Sequence, residues 1–164
     1  MPARDTETGD PSVAAQNSTP VRRHRGDIMS PETRSRVMAR IRGRDTGPER
    51  VVAAGLTALG FLFESHARDL PGRPDFVLRE IKLAIFVDGD FWHGYRFAVW
   101  RDKLSPAWEL KIAGNRKRDT RNFRLLRAQG WKVVRLWEHQ LDRNAKACLR
   151  RVAKIVAERT AVSL

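Results

Sequence analysis

Residues 81–87 carry the feature that most constrains the fold, a short run, Ile-Lys-Leu-Ala-Ile-Phe-Val, in which only Lys82 is charged. Such a run is typical of a strand that is covered on both of its faces. Helical patterns and further short strand patterns surround it, and this alternation predicts an α/β domain. The chain has 164 residues, a length that suits one such domain.

The elements are predicted in the order α-α-β-β-β-α-β-α. Ser30-Pro31-Glu32 and Thr46-Gly47-Pro48-Glu49 each combine a capping residue with a proline in the first turn, which is typical of a helix start. Residues 89–106 are predicted to form a loop. We expect helices over residues 30–43, 46–60, 107–129 and 142–160, and strands over residues 61–66, 75–79, 82–88 and 131–137.

Residues 1–29 differ from the rest because they are rich in Pro, Thr, Ser, Asp and Arg and show no apolar periodicity. We expect a disordered tail here and one folded domain over residues 30–164. The tail has as many acidic as basic residues, so the formal net charge of +13 lies on the folded domain. A domain this basic usually meets a polyanion, and nucleic acid is the first candidate.

Basic side chains gather in two predicted helices. The helix from Ser30 carries arginines with no acidic residue among them, so it is either a DNA-backbone arm or a solvated face: Arg34, Arg36, Arg40, Arg42 and Arg44. Lys111, Arg118 and Arg121 on the long helix form a second group that could contact phosphates. Such contacts would position DNA without reading its sequence.

Composition excludes several classes of protein. Cys148 is the only cysteine, which excludes an internal disulfide framework and a multi-cysteine zinc site, and its apolar neighbours predict a core position. No apolar run is long enough to span a bilayer and the first residues are polar, so we expect neither a membrane partner nor a secretory signal. The expected location is the cytoplasm, in association with the nucleoid.

Asp75 and Asp88 are the first candidates for chemistry. If the strands over residues 75–79 and 82–88 form a tight hairpin, Asp75 lies beside Val87 and Asp88. Two carboxylates and a strand-end carbonyl form the oxygen-rich kind of site that Mg²⁺ prefers. An aspartate that follows a proline at the start of a strand is also common as a turn residue, so Asp75 by itself leaves both roles open.

The segment after Asp88 adds aromatic and basic side chains. Phe91 and Trp92 lie in a predicted loop, where they could stack on bases or insert between base steps, although Trp92 could instead fill the core. His93 lies within reach of the predicted metal site. Its neutral imidazole can accept a proton from water near pH 7, so it is the candidate general base.

The predicted long helix directs two polar residues inward. Asn115 and Asp119 share the side of the helix that carries Ile112 and Phe123 at its two ends. A buried carboxylate needs a partner, so Asp119 belongs either to a structural ion pair or to a group that orients His93 or a phosphate.

A series of motifs then points to a known family: Pro71-Gly72-Arg73-Pro74-Asp75-Phe76, Ile85-Phe86-Val87-Asp88-Gly89, Phe91-Trp92-His93, Trp108, Lys111-Ile112, Asn115, Arg118-Asp119, Gly130-Trp131 and Trp137-Glu138. Over about residues 30–141 they resemble the very short patch repair (Vsr) mismatch endonucleases, and the Phe-Trp-His block makes the resemblance specific. It implies an α/β, restriction-endonuclease-like core of the PD-(D/E)XK superfamily, with a central mixed sheet flanked by helices. It also implies a Mg²⁺-dependent enzyme that nicks one strand of double-stranded DNA beside a T:G mismatch, and we expect a monomer.

The same resemblance implies roles for individual residues. Asp75 and the backbone carbonyl of Val87 would bind the metal, and we expect Asp88 beside them as a second carboxylate. His93 would be the general base, and Glu49 would support the metal-water site. Phe91, Trp92 and Trp108 would form an aromatic wedge at the mismatch. Asn115 and Asp119 would orient the groups of the site.

One departure from the family concerns zinc. Where the family commonly holds a structural zinc with cysteines and a histidine, this chain has Asp90, Tyr95, Phe97 and His139. Asp90 and His139 could share a metal, but two ligands do not form a structural zinc site, so none is expected. We expect packing to hold the loop instead, by Tyr95, Phe97, Val99 and Trp100.

Two other functions stay open at this point. The charge and the aromatic loop would serve a catalytically inactive DNA-binding module equally well, although this leaves the convergence of Asp75, Asp88 and His93 unexplained. A related nuclease in restriction or phage defence would cleave matched DNA at rates similar to those on mismatched DNA.

Overall fold

The computed structural model describes residues 45–162. They form helices α1 (Gly47–Ala58), α2 (Phe97–Trp100), α3 (Pro106–Ala128) and α4 (Glu138–Val162), a 3₁₀ turn (Arg101–Lys103), and strands β1 (Glu64–Ser65), β2 (Phe76–Leu78), β3 (Leu83–Asp88) and β4 (Lys132–Trp137). The predicted tail and the predicted first helix with its five arginines lie outside the described residues. No helix in the described part is both long and apolar enough to cross a membrane.

The strands of the described region form one mixed sheet in the order β1-β2-β3-β4. β2 pairs antiparallel with both β1 and β3, whereas β3 and β4 are parallel. The tight turn between β2 and β3 makes the hairpin that the sequence predicts. The start of β2 and the end of β3 therefore meet at one end of the hairpin, and Asp75 and Asp88 lie there.

Helices cover both faces of this sheet. α1 and α4 pack on one face and α3 packs on the other, so Leu83 and Ile85 of β3 contact one core while Ala84 and Phe86 contact the other. This arrangement explains why residues 81–87 are apolar on both faces. Cys148 is buried in the core beside α1, as predicted.

Three predicted boundaries are wrong. The strand predicted over residues 61–66 shrinks to β1, because Leu62 is exposed and His66 has a positive φ of 55° that ends the extended backbone. Residues 89–106 are not a plain loop, since they contain α2 and the 3₁₀ turn. The last helical segment starts at Glu138 rather than near residue 142, and it is interrupted at Asn144, whose Oδ1 accepts from Ala147 N–H and so caps the following turns.

Candidate active site

Asp75 precedes β2 and contacts the end of β3. Its Oδ2 accepts a hydrogen bond from the Val87 N–H at 2.7 Å, which confirms the predicted proximity of the two strand ends. The carboxyl group borders a cleft of about 430 Å³, here called the carboxylate cleft. The ionisable side chains that line this cleft include Glu49, Asp75, Asp88, His93 and Asp119.

Ionisation of Asp75 is costly in this position. Burial is the main reason that the pKa of Asp75 rises to about 7, and the negative charges of Glu49 and Asp88 add to the rise. The hydrogen bond from Val87 N–H and the charge of His66 act in the opposite direction but do not offset it. A nearby cation stabilises the charged form of such a buried carboxylate. The position of Asp75 therefore suits a divalent metal site.

His93 joins two further carboxylates. Its Nδ1 lies 2.8 Å from Oδ2 of Asp119, and its Nε2 lies 3.1 Å from Oδ1 of Asp88. Gly94 lets the loop approach α3 this closely, because its φ is +64° and a Cβ there would lie 2.6 Å from Cδ of Arg116. The contacts therefore connect the end of β3, the loop and the middle of α3 around one imidazole.

Burial and charge shift the pKa values of these three groups in different directions. Burial of the ring lowers the pKa of His93, but the hydrogen bond to Asp119 and the charges of Asp88 and Asp119 outweigh it, so the net shift is upward. Burial raises the pKa of Asp88 despite the opposing charges of His93 and Arg135. Burial also acts upward on the pKa of Asp119, yet its contacts with His93 and Arg135 bring it below the ordinary value.

Arg135 of β4 completes this group, and the sequence pattern did not reveal it. Its Nε donates to Oδ2 of Asp88, and its Nη2 donates to Oδ2 of Asp119 at 2.7 Å. An arginine inside an apolar strand pattern was the available signal. Its partners depend on strand register, which places it opposite Phe86 and so on the face that also carries Asp88.

Glu49 enters the carboxylate cleft from the first turn of α1. The Thr46 hydroxyl donates to Oε1 of Glu49 at 2.8 Å and accepts from its N–H at 3.4 Å, while the Asp45 N–H donates to Oε2 at 2.9 Å. These hydrogen bonds form a variant of the capping box, in which the N–H of the residue before the N-cap is the donor, and they fix the direction of the buried carboxylate. His66 Nε2 lies 3.9 Å from Glu49 Oε2 and 3.5 Å from Asp45 Oδ1.

The predicted wedge residues form an aromatic cluster at the border of the cleft. Phe91 packs edge-on against Trp92 at 5.2 Å and against Trp108 at 5.6 Å between ring centres. It also stacks on Trp100 at 5.6 Å, a residue predicted only as loop packing. Phe91 is 41% exposed, and Lys111 lies over the rings of Trp92 and Trp108. The cluster thus presents an aromatic surface with a cation beside it.

Polar and aromatic contacts connect the segment after β3 with the start of α4. His139 Nδ1 lies 2.6 Å from Asp90 Oδ1, and the Tyr95 ring packs on His139 at 4.3 Å and on Trp137 at 5.1 Å. Phe97 is buried, as predicted for a loop held by packing. The prediction for Val99 is wrong: this side chain is 76% exposed, because it lies on the outer side of the short helix α2.

Helix α3 directs its polar residues to two sides. Asn115 faces the loop, where its Nδ2 donates to the Trp92 carbonyl at 3.0 Å and its Oδ1 accepts from Arg118 at 2.8 Å. Asn115 and Asp119 therefore point inward, as predicted, and both contact the loop that carries His93. The basic side chains predicted to contact phosphates are exposed: Lys111, Arg118 and Arg121.

Two groups of side chains in residues 45–162 bring three ligand atoms within 4.8 Å of one another: Asp45, Glu49 and His66, and Asp88, His93 and Asp119. Asp75 belongs to neither group, although the charges of Glu49, Asp88 and His66 act on it. Carboxylate oxygens dominate the donors around the cleft, and hard divalent cations prefer such donors. The residues present therefore fit a divalent metal.

Known proteins match most of this chain. The family model described as DNA mismatch endonuclease Vsr matches residues 26–99. The type II nicking enzyme V.XorIIP of Xanthomonas oryzae pv. oryzae is 39% identical over 118 residues, which cover 71% of this chain and 87% of that enzyme. The chain belongs to the Vsr family.

Two further relatives agree with this membership. The DNA mismatch endonuclease Vsr of Escherichia coli is 38% identical over 114 residues, which cover 68% of this chain and 73% of that enzyme. The type II nicking enzyme V.NmeDIP of Neisseria meningitidis serogroup C is 31% identical over 140 residues, which cover 84% of this chain and 95% of that enzyme. This Vsr-family protein is a DNA endonuclease with a restriction-endonuclease-like α/β fold.

Proposed function

We propose that this protein is a Mg²⁺-dependent endonuclease that nicks one strand of double-stranded DNA at or next to a T:G mismatch, and that it acts as a monomer. The observation that carries the proposal is the convergence of Asp75, Asp88, His93 and Asp119 in one cleft beside an exposed aromatic cluster. The names of the relatives, a DNA mismatch endonuclease and type II nicking enzymes, support the same activity.

The metal would be held by Asp75, Asp88 and the backbone carbonyl of Val87. When bound there, Mg²⁺ would supply positive charge for the phosphate and the leaving oxygen. The fold supports such a metal site because it buries several carboxylates close together, and this raises the pKa of Asp75. Without a cation these carboxylates would repel the DNA phosphate.

His93 would accept the proton of the attacking water. Its Nδ1 is held by Asp119, so Nε2 is the nitrogen available for the proton, and Nε2 points to the side of Asp88. The two carboxylates raise the pKa of His93 and make it a stronger base. Glu49, fixed by its capping box, would orient water at the opposite border of the cleft.

The aromatic cluster would open the duplex. Phe91 is the exposed leading ring, while Trp92 and Trp108 pack behind it and support it. Inserting such rings requires unstacking of a base step, which costs less at a mismatch than at a paired step. Lys111, Arg118 and Arg121 would hold the phosphates next to this position, and Arg34, Arg36, Arg40, Arg42 and Arg44 would add a second contact to the backbone.

Cleavage assays test this proposal directly. A supercoiled plasmid and paired duplexes that differ only in one T:G mismatch are incubated with the protein in Mg²⁺ or in EDTA. We expect nicks in one strand, faster on the mismatched duplex, and none in EDTA. Asp75→Ala and His93→Ala should abolish nicking, while Asp69→Asn, which alters an exposed carboxylate bound to Arg79, should not.

Other outcomes would assign another function. Cutting of matched DNA at the same rate as T:G DNA would indicate a restriction or defence nuclease. Tight, salt-sensitive duplex binding with no Mg²⁺-dependent cleavage would indicate an inactive binding module. Wild-type cutting by Asp75→Ala or His93→Ala would remove these residues from the mechanism.

A further inference from the structure

Arg135 lies where three elements of the carboxylate cleft meet. From β4, its guanidinium donates both to Asp88 at the end of β3 and to Asp119 in α3. These are the same two carboxylates that contact His93, at Oδ1 of Asp88 and Oδ2 of Asp119. The side chains of Asp88, His93, Asp119 and Arg135 therefore form a closed ring of contacts.

The two carboxylates need a second cation because they are close together and shielded from water. The side chains of Asp88 and Asp119 are 5% and 13% exposed. The negative charges of Asp88 and Asp119 repel each other, and a second cation beside His93 reduces this repulsion. Arg135 offers two donors in a fixed planar geometry, which lysine cannot reproduce.

The position of Arg135 is itself fixed by its surroundings. Its guanidinium carbon lies 4.2 Å from the centre of the Trp137 ring and 5.2 Å from that of Phe123. Its backbone carbonyl accepts from Nη2 of Arg151 at 2.6 Å. A side chain that packs against two rings, on a strand paired along its length with β3, has little freedom, so it can impose geometry on the carboxylates that it holds.

We propose that Arg135 is a positioning residue: by holding Asp88 and Asp119 it fixes the His93 ring between them, with Nδ1 on Oδ2 of Asp119 and Nε2 beside Oδ1 of Asp88. The inference rests on the proposed nicking function and deepens it. Arg135 acts through His93 and the carboxylates and does not contact the substrate. Its loss should therefore affect the rate of the chemical step more than the binding of DNA.

Steady-state nicking of a T:G duplex in Mg²⁺ provides the first test. Arg135→Met should lower kcat by about 10- to 100-fold and leave KM nearly unchanged, as expected for a group that orients others. Arg135→Lys keeps the charge and should recover part of the rate, and it serves as the readable variant if Arg135→Met does not fold. The matched control is Arg127→Met, which removes a guanidinium from the same Phe123 ring but touches neither carboxylate.

A second readout is independent of activity. Long-range ¹H–¹⁵N correlation spectra of ¹⁵N-histidine protein, recorded metal-free at one pH and assigned with His93→Gln, report the hydrogen bonding of each ring nitrogen of His93. We expect Arg135→Met and Arg135→Lys to shift the Nδ1 signal and Arg127→Met to leave it in place. An unchanged His93 signal, or a loss expressed in KM alone, would overturn the inference. A wild-type protein that cleaves no DNA would overturn the proposed function, and the spectra would still decide the role of Arg135.

Discussion

At the scale of single residues, ionisation of Asp75 lowers the free energy of unfolding. Its pKa rises from the ordinary 3.8 to about 7, so between these values the folded chain keeps a proton that the unfolded chain has lost. Stability contributed by this group therefore falls as the pH rises through that window. We expect Asp75→Asn to stabilise the metal-free protein at pH 8 by roughly 4 kcal/mol more than at pH 4. Urea unfolding in EDTA at the two pH values measures the difference.

Magnesium supplies the control for this prediction. Mg²⁺ should raise the unfolding midpoint of the wild type at pH 8 and leave Asp75→Asn unchanged, because the ligand is gone. Equal stabilisation of both proteins by Mg²⁺ would place the metal elsewhere. An Asp75→Asn variant that is less stable than the wild type at pH 8 without metal would contradict the predicted cost of ionising Asp75.

Some residues of the candidate site could be predicted from the sequence, and one could not. Asp75 and His93 could be predicted because each stands in a local pattern, a strand start after proline and an aromatic loop after a buried strand. Asp119 could be predicted to face inward from helical periodicity. Arg135 could not be linked to either carboxylate, because its contacts follow from the register of β4 against β3, and register is a long-range property.

At the scale of elements, Thr46 couples the start of α1 to the carboxylate cleft. Its hydroxyl contacts both the N–H and the carboxylate of Glu49. Thr46→Ala should destabilise the protein by about 1 kcal/mol, because the helix loses its cap. Thr120→Ala is the matched control: its hydroxyl only donates to the Arg116 carbonyl inside α3, and we expect almost no change. Urea unfolding compares the two, and equal effects would exclude a special role for the cap.

The segment between β3 and α3 is held at the end of β4 by His139. His139 contacts the carboxylate of Asp90 and the ring of Tyr95, and both residues belong to this segment. His139→Ala should therefore accelerate trypsin cleavage after Arg96 and Arg101 several-fold, measured by mass spectrometry of the first fragments. Glu158→Ala breaks only an exposed ion pair on α4, and trypsin should cleave this variant at the wild-type rate. Unchanged cleavage of His139→Ala would mean that aromatic packing alone holds the segment.

Helices and strands could be predicted from the sequence where local patterns determine them. The apolar run of β3, the capping sequence before α1 and Pro106 at the start of α3 fix these elements locally. Helix α2 was missed because it has four residues and its N-cap, Arg96, is left-handed with φ of 52°. Such a short helix depends on tertiary contacts, here the burial of Phe97, rather than on local sequence.

At the scale of the whole molecule, four basic side chains border a groove on the helix that also carries Asp119. Arg118 and Arg121 border this groove on α3 together with Lys117 and Arg124. Arg79, at the far end of the β2-β3 hairpin, is instead bound to Glu64 and Asp69. Within residues 45–162 the basic side chains that border this groove form no such carboxylate pair, so we expect them to be available for phosphate contacts.

This distribution makes the salt dependence of DNA binding diagnostic. If Arg121 contacts a phosphate, Arg121→Gln should reduce the slope of log Kd against log salt concentration by about 1. Arg79→Gln removes the same charge from the other end of the hairpin and should leave the slope unchanged. Fluorescence anisotropy of a labelled duplex over a series of NaCl concentrations measures both slopes. Equal changes in the two variants would mean that net charge alone attracts DNA and that α3 is not its contact surface.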